Sequence, residues 1–352
     1  MRKIFTRWFQ KSSVNPRATL TFAAVWVVAL LAIHLLVPTR TIESRVISPL
    51  LFKIRDHLGQ SPTLNSKIKI FGIDDMTAAR LQRPDMNLEE WSKVLTLIDH
   101  SKPKAIIIDG LFSLADAGSS LEGLMALARL KRIETPIYTG LFPSRAPIIA
   151  RTPYKLLNET YDLTTYVDRS MPLPGSEAEQ LEKLPLADFR GSVIYGPNLS
   201  LHSVFHNAGH ILYGEDEGSY MPFLRVDENK TVPHMMVMPF AKTNFQQDRL
   251  FIEGAEVFVA QDGSAPINFP SRGHMYRSVS SLWPLIEARD QNVVIDSIKT
   301  GDYVYIIPLF HTGNTDFKPS PIGLIPGAFA HLSVLNSYLE KSPLHYLEIE
   351  PI

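Results

Sequence analysis

The chain of 352 residues contains no cysteine. This absence excludes disulfide bonds, thiolate nucleophiles and cysteine-bound metals, although it leaves the cellular compartment open. An excess of charge of one sign is also lacking, because 35 Lys and Arg residues balance 36 Asp and Glu residues. We therefore expect no nucleic-acid partner. The sequence has no P-loop, no dinucleotide fingerprint and no G-x-S-x-G, so the usual motif evidence for a nucleotide-binding protein or a serine hydrolase is missing.

One long apolar run is present, near the N-terminus. Residues 1–17 contain five basic residues and no acid, and Leu20 to Val37 is apolar apart from Thr21 and His34. Such a run can cross about 30 Å of hydrocarbon as a helix. We predict a cytoplasmic basic tail at 1–17 and a transmembrane helix at 18–38, with the rest of the chain across the membrane. A cleaved signal peptide is the alternative; the length of the run and the lack of a clean cleavage site favour the anchor.

The stretch from Ile68 to Ser113 predicts a strand, a helix and a second strand. Apolar runs occupy Ile68–Ile73 and Ala105–Ile108. Between them, apolar residues recur at helical spacing from Leu88 to Ile98, and Asn87 with Glu90 forms a capping-box pattern. A crossover of this length joins parallel strands.

Acidic residues follow both predicted strands: Asp74 and Asp75 after the first, and Asp109 after the second. Parallel strands end at one edge of a sheet, and ligands of open α/β folds bind at that edge. We expect these carboxylates on one side of the domain. Asp316 joins them if the predicted strand ending at Ile307 belongs to the same sheet.

The remaining pattern completes a mixed α/β fold with a mainly parallel sheet flanked by helices. The predicted elements are helices at Thr41–Gly59, Leu121–Ile133, Val279–Ala288 and Gly327–Leu339, and strands at Pro136–Gly140, Ser192–Tyr195, Ile267–Phe269 and Tyr303–Ile307, with two more within His210–Val226. The proline-rich segment 143–190 is interpreted as an irregular surface insertion. Residues 345–352 are either the true terminus or a lead-in to a further membrane region.

An ordered set of short pieces resembles the type-2 CHASE domain, a sensory domain associated with cyclases and histidine kinases. The pieces are IRD at Ile54, FGIDD at Phe71, the helix with Trp91, KPKAIIIDGLFS at Lys102, AGHILYGEDEG at Ala208, INFP at Ile267, GDYVYIIPLFHTGNTD at Gly301 and IPGAFAHLSVLNSYL at Ile325. Together they span roughly residues 45–344. The domain at 41–344 is accordingly expected to be extracytoplasmic.

The resemblance implies a periplasmic sensor in the inner membrane of a bacterium. Such a domain binds a small-molecule or protein signal, commonly as a homodimer, and passes a conformational change to a cytoplasmic cyclase, kinase or similar output domain or partner. No cofactor and no catalytic residue are implied. The first and last helices of the domain are expected to carry the change to the membrane.

Seven residues are candidates for ligand contact: Asp74, Asp75, Arg83, Asp109, His210, Thr315 and Asp316. Carboxylates at strand ends bind cations or polar ligands, but they also cap helices, an interpretation that we favour for Asp75 and leave open for Asp74 and Asp109. Arg83 is either their partner or an ordinary surface arginine. His210 follows His202 and His206 at steps of four, a spacing that suits zinc on a helix, but Gly209 breaks such a helix.

Two alternative functions remain open. A membrane-anchored, metal-dependent hydrolase would use Asp74, Asp109 and Asp316 as metal ligands. A structural envelope protein would use the segment 143–190 for contacts.

Overall fold

The structure is a computed structural model that describes residues 43–110, 120–144, 185–197, 201, 203–214, 217–227, 230–240, 243–246, 249–288, 294–310 and 316–344. The basic tail at 1–17, the predicted membrane helix at 18–38, most of the insertion at 143–190 and the segment 345–352 lie outside these ranges. Within the described ranges, none of the helices combines the length and apolar character needed to span a membrane.

The described elements alternate helices and strands in the first half and are mostly short strands in the second. The helices are α1 Ser48–His57 (after a π-helical turn at Glu43–Ile47), α2 Asp75–Leu81, α3 Leu88–His100, α4 Leu121–Leu130, α5 Arg272–Arg277, α6 Trp283–Glu287 and α7 Gly327–Leu339. The strands are β1 Ile68–Asp74, β2 Ala105–Ile108, β3 Ile137–Ser144, β4 Ala187–Asp188, β5 Val193–Tyr195, β6 Asn207–His210, β7 Ser219–Tyr220, β8 Phe223–Asp227, β9 Lys230–Pro233, β10 Thr243–Gln246, β11 Arg249–Ile252, β12 Ala255–Val257, β13 Ala265–Pro266, β14 Val279–Ser281, β15 Tyr303–Leu309, β16 Phe317–Lys318 and β17 Ile325–Pro326.

The central sheet has seven strands. Strands β14, β1, β15, β2, β3 and β6 lie in this order and each pairs in parallel with its neighbour, while β5 pairs antiparallel with the last residues of β3. The predicted fold class, a mixed and mainly parallel sheet with flanking helices, is confirmed.

The strand order brings distant segments together at the carboxyl edge. Strand β15 lies between β1 and β2, so Leu309 is opposite Asp74 and Ile306 is opposite Ile108. The prediction that the strand ending near Ile307 joins the same sheet is therefore confirmed.

Helix α3 begins at the predicted capping box and ends at His100. Asn87 accepts the Glu90 N–H and the Glu90 side chain accepts the Asn87 N–H, which forms a complete capping box. The chain turns at Lys102, which has a positive φ of 49°, immediately before Pro103.

Successive residues of the strands pack into two separate cores, one on each face of the sheet. Ile107 and Tyr305 belong to the core that contains α7. Their neighbours Ile106 and Ile306 belong to the core that contains α3 and α4. The period of two along a strand thus explains why helices cover both faces.

Helix α7 differs from its expected amphipathic form. The helical spacing of Phe329, Leu332, Leu335 and Leu339 predicts a single apolar face, yet every residue from Gly327 to Tyr338 is buried. The sheet covers one side of the helix, and the core residues Met235 to Phe240 pack on the same helix. This helix therefore lies inside the domain.

Two local predictions were wrong. Val279–Ser281 forms strand β14 and not a helix, because it pairs with Ile70–Gly72 at the edge of the sheet; only Trp283–Glu287, with Pro284 in its first turn, is helical. The strand expected at Ile267–Phe269 lies instead at Ala265–Pro266. Within the expected range, the Asn268 side chain hydrogen-bonds to Arg55 and to the Ser342 carbonyl.

Candidate functional site

A cavity of about 270 Å³ opens at the carboxyl edge of the sheet, on the face covered by α7. Its lining comes from the ends of four parallel strands, the short strands β16 and β17, the residue before β16 and the first turns of α7: Asp109, Phe142, Ile211, Leu212, Tyr213, Pro308, Asp316, Lys318, Pro326, Gly327, Ala328 and His331. Parallel α/β sheets bind ligands at this edge.

Asp109 is the carboxylate at the inner end of the cavity. It follows β2 directly, and its N–H donates to the Ile306 carbonyl at 2.9 Å, which holds it beside β15. Burial raises the pKa of Asp109 to about 7; the hydrogen bond with the Tyr305 hydroxyl opposes this rise, and the negative charge of Asp316 adds to it. Asp109 is therefore close to half protonated at neutral pH.

Tyr305 connects Asp109 to the first turn of α7. Its hydroxyl donates to the Ala328 carbonyl at 3.2 Å and is also the hydrogen-bond partner of the Asp109 carboxyl. A protonated Asp109 can donate to this hydroxyl, whereas an ionised Asp109 competes for its proton. The protonation state of Asp109 thus affects a contact of α7.

Asp316 lies at the outer side of the cavity, in front of α7. Its backbone carbonyl accepts the Gly327 N–H at 2.7 Å, and its carboxylate pairs with the Lys318 ammonium at 3.1 Å. Both side chains are substantially exposed, so this ion pair contributes little to stability.

Gly327 permits the close approach at the start of α7. A Cβ on this residue would lie 3.1 Å from the Tyr213 hydroxyl and 3.4 Å from the Asp316 carboxylate. The lack of a side chain at Gly327 therefore keeps the cavity open.

Tyr213 forms one wall of the cavity. Its hydroxyl donates to the Gly327 carbonyl at 2.6 Å, and its ring stacks on His331 with a centroid distance of 4.6 Å. Burial raises the pKa of Tyr213 well above its usual value, and the charges of Asp109 and Asp316 raise it further. The ring therefore stays neutral and lies in the field of both carboxylates.

Hydrogen bonds fix the tautomers of two buried histidines. The Met236 N–H donates to Nδ1 of His234 at 3.3 Å, so Nε2 of His234 carries the proton and donates to Nδ1 of His331 at 3.1 Å. Nε2 of His331 is then an N–H donor on a ring that lines the cavity. Burial lowers the pKa of His331 to about 3, with a smaller effect from Lys318, so the ring is neutral.

His210 continues this row behind the cavity. Its ring lies edge-on to His234 at 5.3 Å, and its Nδ1 accepts the Leu212 N–H at 3.2 Å. Its Nε2 has no well-aligned hydrogen-bond partner among the described residues. Burial lowers the pKa of His210 to about 3, aided by His331 and opposed by the Met221 backbone.

The structure brings together Asp109 and Asp316 and places His210 one ring behind them. It does not bring Asp74 to the cavity, because Oδ1 of Asp74 accepts both the N–H and the hydroxyl of Thr77 and caps α2. The capping role that we favoured for Asp75 belongs to Asp74, the residue before it. Asp75 lies in the first turn of the helix.

Arg83 binds elsewhere, and Thr315 lies outside the described residues. The Arg83 guanidinium makes a two-pronged contact with Glu90 at 2.6 and 3.1 Å, at the start of α3. His206 is exposed and precedes the extended strand β6, so it does not align with His210 on a helix. The described residues contain no group of three or more His, Asp or Glu side chains placed to hold a metal ion.

Sequence reasoning missed most of the cavity wall. The sequence predicted none of Tyr213, His234, Lys318, Gly327 and His331 as site residues. The spacing of four between Gly327 and His331 at a helix start was the available signal, because both residues face the same side of the first turns. The contact of His331 with His234 left no local pattern, since the two residues are 97 positions apart.

Comparison with known proteins adds no assignment: no protein-family model, no curated protein and no solved structure matches this chain.

Proposed function

We propose that this chain is the sensory part of a bacterial transmembrane signalling protein and that it binds a small polar signal molecule. The observation that carries the proposal is the cavity between the carboxyl edge of the sheet and the first turns of α7. It combines a size suited to a small ligand with convergent polar groups, one of which has a strongly perturbed pKa.

Helix α7 supports a sensory role because it connects the cavity to the segments that lead out of the domain. Its 13 residues extend about 20 Å from Gly327 at the cavity. Beyond its far end, the Ser342 carbonyl accepts from the Asn268 amide at 2.8 Å, and Asn268 in turn accepts from Arg55 of α1 at 2.7 Å. A displacement of α7 therefore reaches α1.

The membrane topology of the proposal rests on the sequence. The basic residues at 1–17 and the apolar run at 18–38 support an anchor in the inner membrane with its N-terminus in the cytoplasm. The domain at 41–344 is then periplasmic, and a cyclase, histidine kinase or similar output in the cytoplasm receives the signal, as the type-2 CHASE resemblance implies. A ligand shifts the conformational equilibrium only by its different affinities for the two states.

A homodimer through α1 is part of the proposal. Large apolar residues on and beside this helix are 41–61% exposed: Val46, Ile47, Leu50, Leu51, Ile54 and Leu58. Ile47, Leu51, Ile54 and Leu58 follow steps of four, three and four, the spacing of a coiled-coil seam. Two anchors in one membrane hold two such helices parallel, which makes a second copy of this chain the matching partner.

The hydrolase alternative gains no specific support, because Asp74 is used as a helix cap away from Asp109 and Asp316. The structural-envelope alternative depends on a segment that is mostly outside the described residues.

The test of ligand binding is Gly327→Leu, studied in the full chain in mild detergent. The new side chain enters the cavity, where a Cβ alone would already lie 3.1 Å from the Tyr213 hydroxyl. Purified small metabolites are screened for an increase in the melting temperature of wild-type protein. A ligand at 100 times its Kd stabilises the folded state by about 2.7 kcal/mol, and this increase should vanish in the variant.

Gly273→Leu is the matched control. It also changes a glycine in the first turn of a helix, but its Cβ meets only the flexible guanidinium end of Arg277. The control should keep the ligand response. A ligand that stabilises Gly327→Leu as strongly as wild type would place its site elsewhere, and the absence of any stabilising compound would count against a ligand-binding domain.

A further inference from the structure

The charged groups of the cavity indicate which class of ligand it takes; this inference rests on the proposed function. Three charged side chains line the described part of the cavity: Asp109, Asp316 and Lys318. Lys318 is already paired with Asp316 at 3.1 Å, so Asp109 has no cationic partner among these lining residues. When Asp109 ionises, the cavity carries a net negative charge that a cation would neutralise.

The aromatic wall is consistent with a positively charged group. Tyr213 has a neutral ring within the field of both carboxylates, and its ring and that of Phe142 line the cavity. An ammonium group near aromatic faces is attracted by the negative π surface. Lys318, which also lines the cavity, already uses this attraction, with its nitrogen 5.9 Å from the centre of the Tyr213 ring.

His331 provides an independent indication that a polar ligand enters. This side chain is only 3% exposed, and its Nε2–H has no acceptor among the described residues. Its other nitrogen is occupied by His234, so the ring cannot turn to satisfy it. Because His331 lines the cavity, a ligand oxygen there can accept a hydrogen bond from this N–H group.

We propose that the cavity binds a small organic molecule that carries a protonated amino group together with a hydrogen-bond acceptor, as amino acids and amino alcohols do. The amino group lies between Asp109 and Asp316, and the acceptor binds the Nε2–H of His331. Binding of the cation ionises Asp109 and releases its proton to solvent. The ionised carboxylate then competes with the Ala328 carbonyl for the Tyr305 hydroxyl, which transmits the presence of the ligand to α7.

The experiment uses isothermal titration calorimetry on the full chain in mild detergent at pH 7. The probes are the standard amino acids, 4-aminobutyrate and ethanolamine, each paired with the same molecule without its amino group. Titration in two buffers of different ionisation enthalpy counts the protons released. We expect an amine to bind at least tenfold more tightly than its matched partner and to release about half a proton, because Asp109 is half protonated at this pH.

Two substitutions distinguish an amine site from an anion site. Asp109→Asn should weaken amine binding by roughly 10- to 100-fold and abolish proton release, since it removes a charge-assisted hydrogen bond. Lys318→Gln should strengthen amine binding, because it removes a positive charge and frees Asp316. An anion site predicts the opposite for Lys318→Gln, so weakened binding in this variant would overturn the proposal.

The remaining outcomes separate this inference from the proposed function. If no amine binds more tightly than its matched partner, but another metabolite stabilises wild type and not Gly327→Leu, the cavity is a ligand site and the ligand class is wrong. If neither the amines nor the metabolite screen gives binding that Gly327→Leu abolishes, both proposals fail.

Discussion

Asp109 makes a sharp prediction about the dependence of stability on pH. The side chain lies against Tyr305 and near Asp316, and burial raises its pKa from the usual 3.8 to about 7. Asp109→Asn keeps the shape and the hydrogen-bonding capacity toward Tyr305 but removes the titrating proton. The difference in stability between wild type and variant therefore isolates the free-energy cost of ionising this carboxyl group in the folded state.

The sign and size of the effect follow from the two pKa values. Between pH 3.8 and 7 the folded protein retains the proton and the unfolded chain has lost it, so wild-type stability falls as pH rises. The shift is roughly three units, and each unit corresponds to about 1.4 kcal/mol. From pH 4 to pH 8, Asp109→Asn should therefore gain about 4 kcal/mol of unfolding free energy relative to wild type.

The assay is urea unfolding of the full chain in mild detergent, followed by tryptophan fluorescence at several pH values. Asp296→Asn, which alters a carboxylate on an exposed residue, is the matched control and should follow wild type at every pH. If the curves for Asp109→Asn and wild type stay parallel from pH 4 to pH 8, the carboxyl group is not penalised by burial. The electrostatic description of the cavity would then be refuted.

Two further predictions concern the histidine row and α1. Burial lowers the pKa of His210 to about 3, so its contribution to stability is present above pH 6.5 and lost as pH falls. In urea unfolding at pH 4.5, His210→Gln should reduce the acid-induced loss of unfolding free energy by about 3 kcal/mol. His206→Gln, at an exposed position, should leave that loss unchanged. On α1, Leu51→Asn should convert the proposed dimer to a monomer in analytical ultracentrifugation, because it places an amide in the apolar seam. Lys53→Asn on the same helix should leave the mass unchanged, and a monomeric wild-type protein would rule out the dimer.

The first half of the described domain could be predicted well because its signals are local. The capping box of Asn87 and Glu90, the helical spacing that follows and the stop at Pro103 all act within a few residues. The same holds for the bounds of Gly327–Leu339. Such patterns reflect backbone preferences and periodic burial, which the sequence displays directly.

Strand partners and helix surroundings were less predictable. The pattern of apolar and polar residues around Val279–Ser281 also suits a helix. The segment is a strand because it pairs with Ile70–Gly72. For α7, the sequence could not indicate that Met235 to Phe240 belong to the same core as the sheet face on which the helix packs. In both cases tertiary contacts override the local preference.

The sequence by itself determined the fold class, the position of Asp109 at a strand end and the bounds of the main helices, because these depend on short-range periodicity and capping. Only the tertiary structure decided that β15 lies between β1 and β2, that Asp74 serves as a cap, and that Asp109 shares a cavity with Tyr213 and His331. The physical reason is that strand order, burial and the pKa of Asp109 arise from packing between segments about 100 to 235 residues apart, and neither segment alone carries that information.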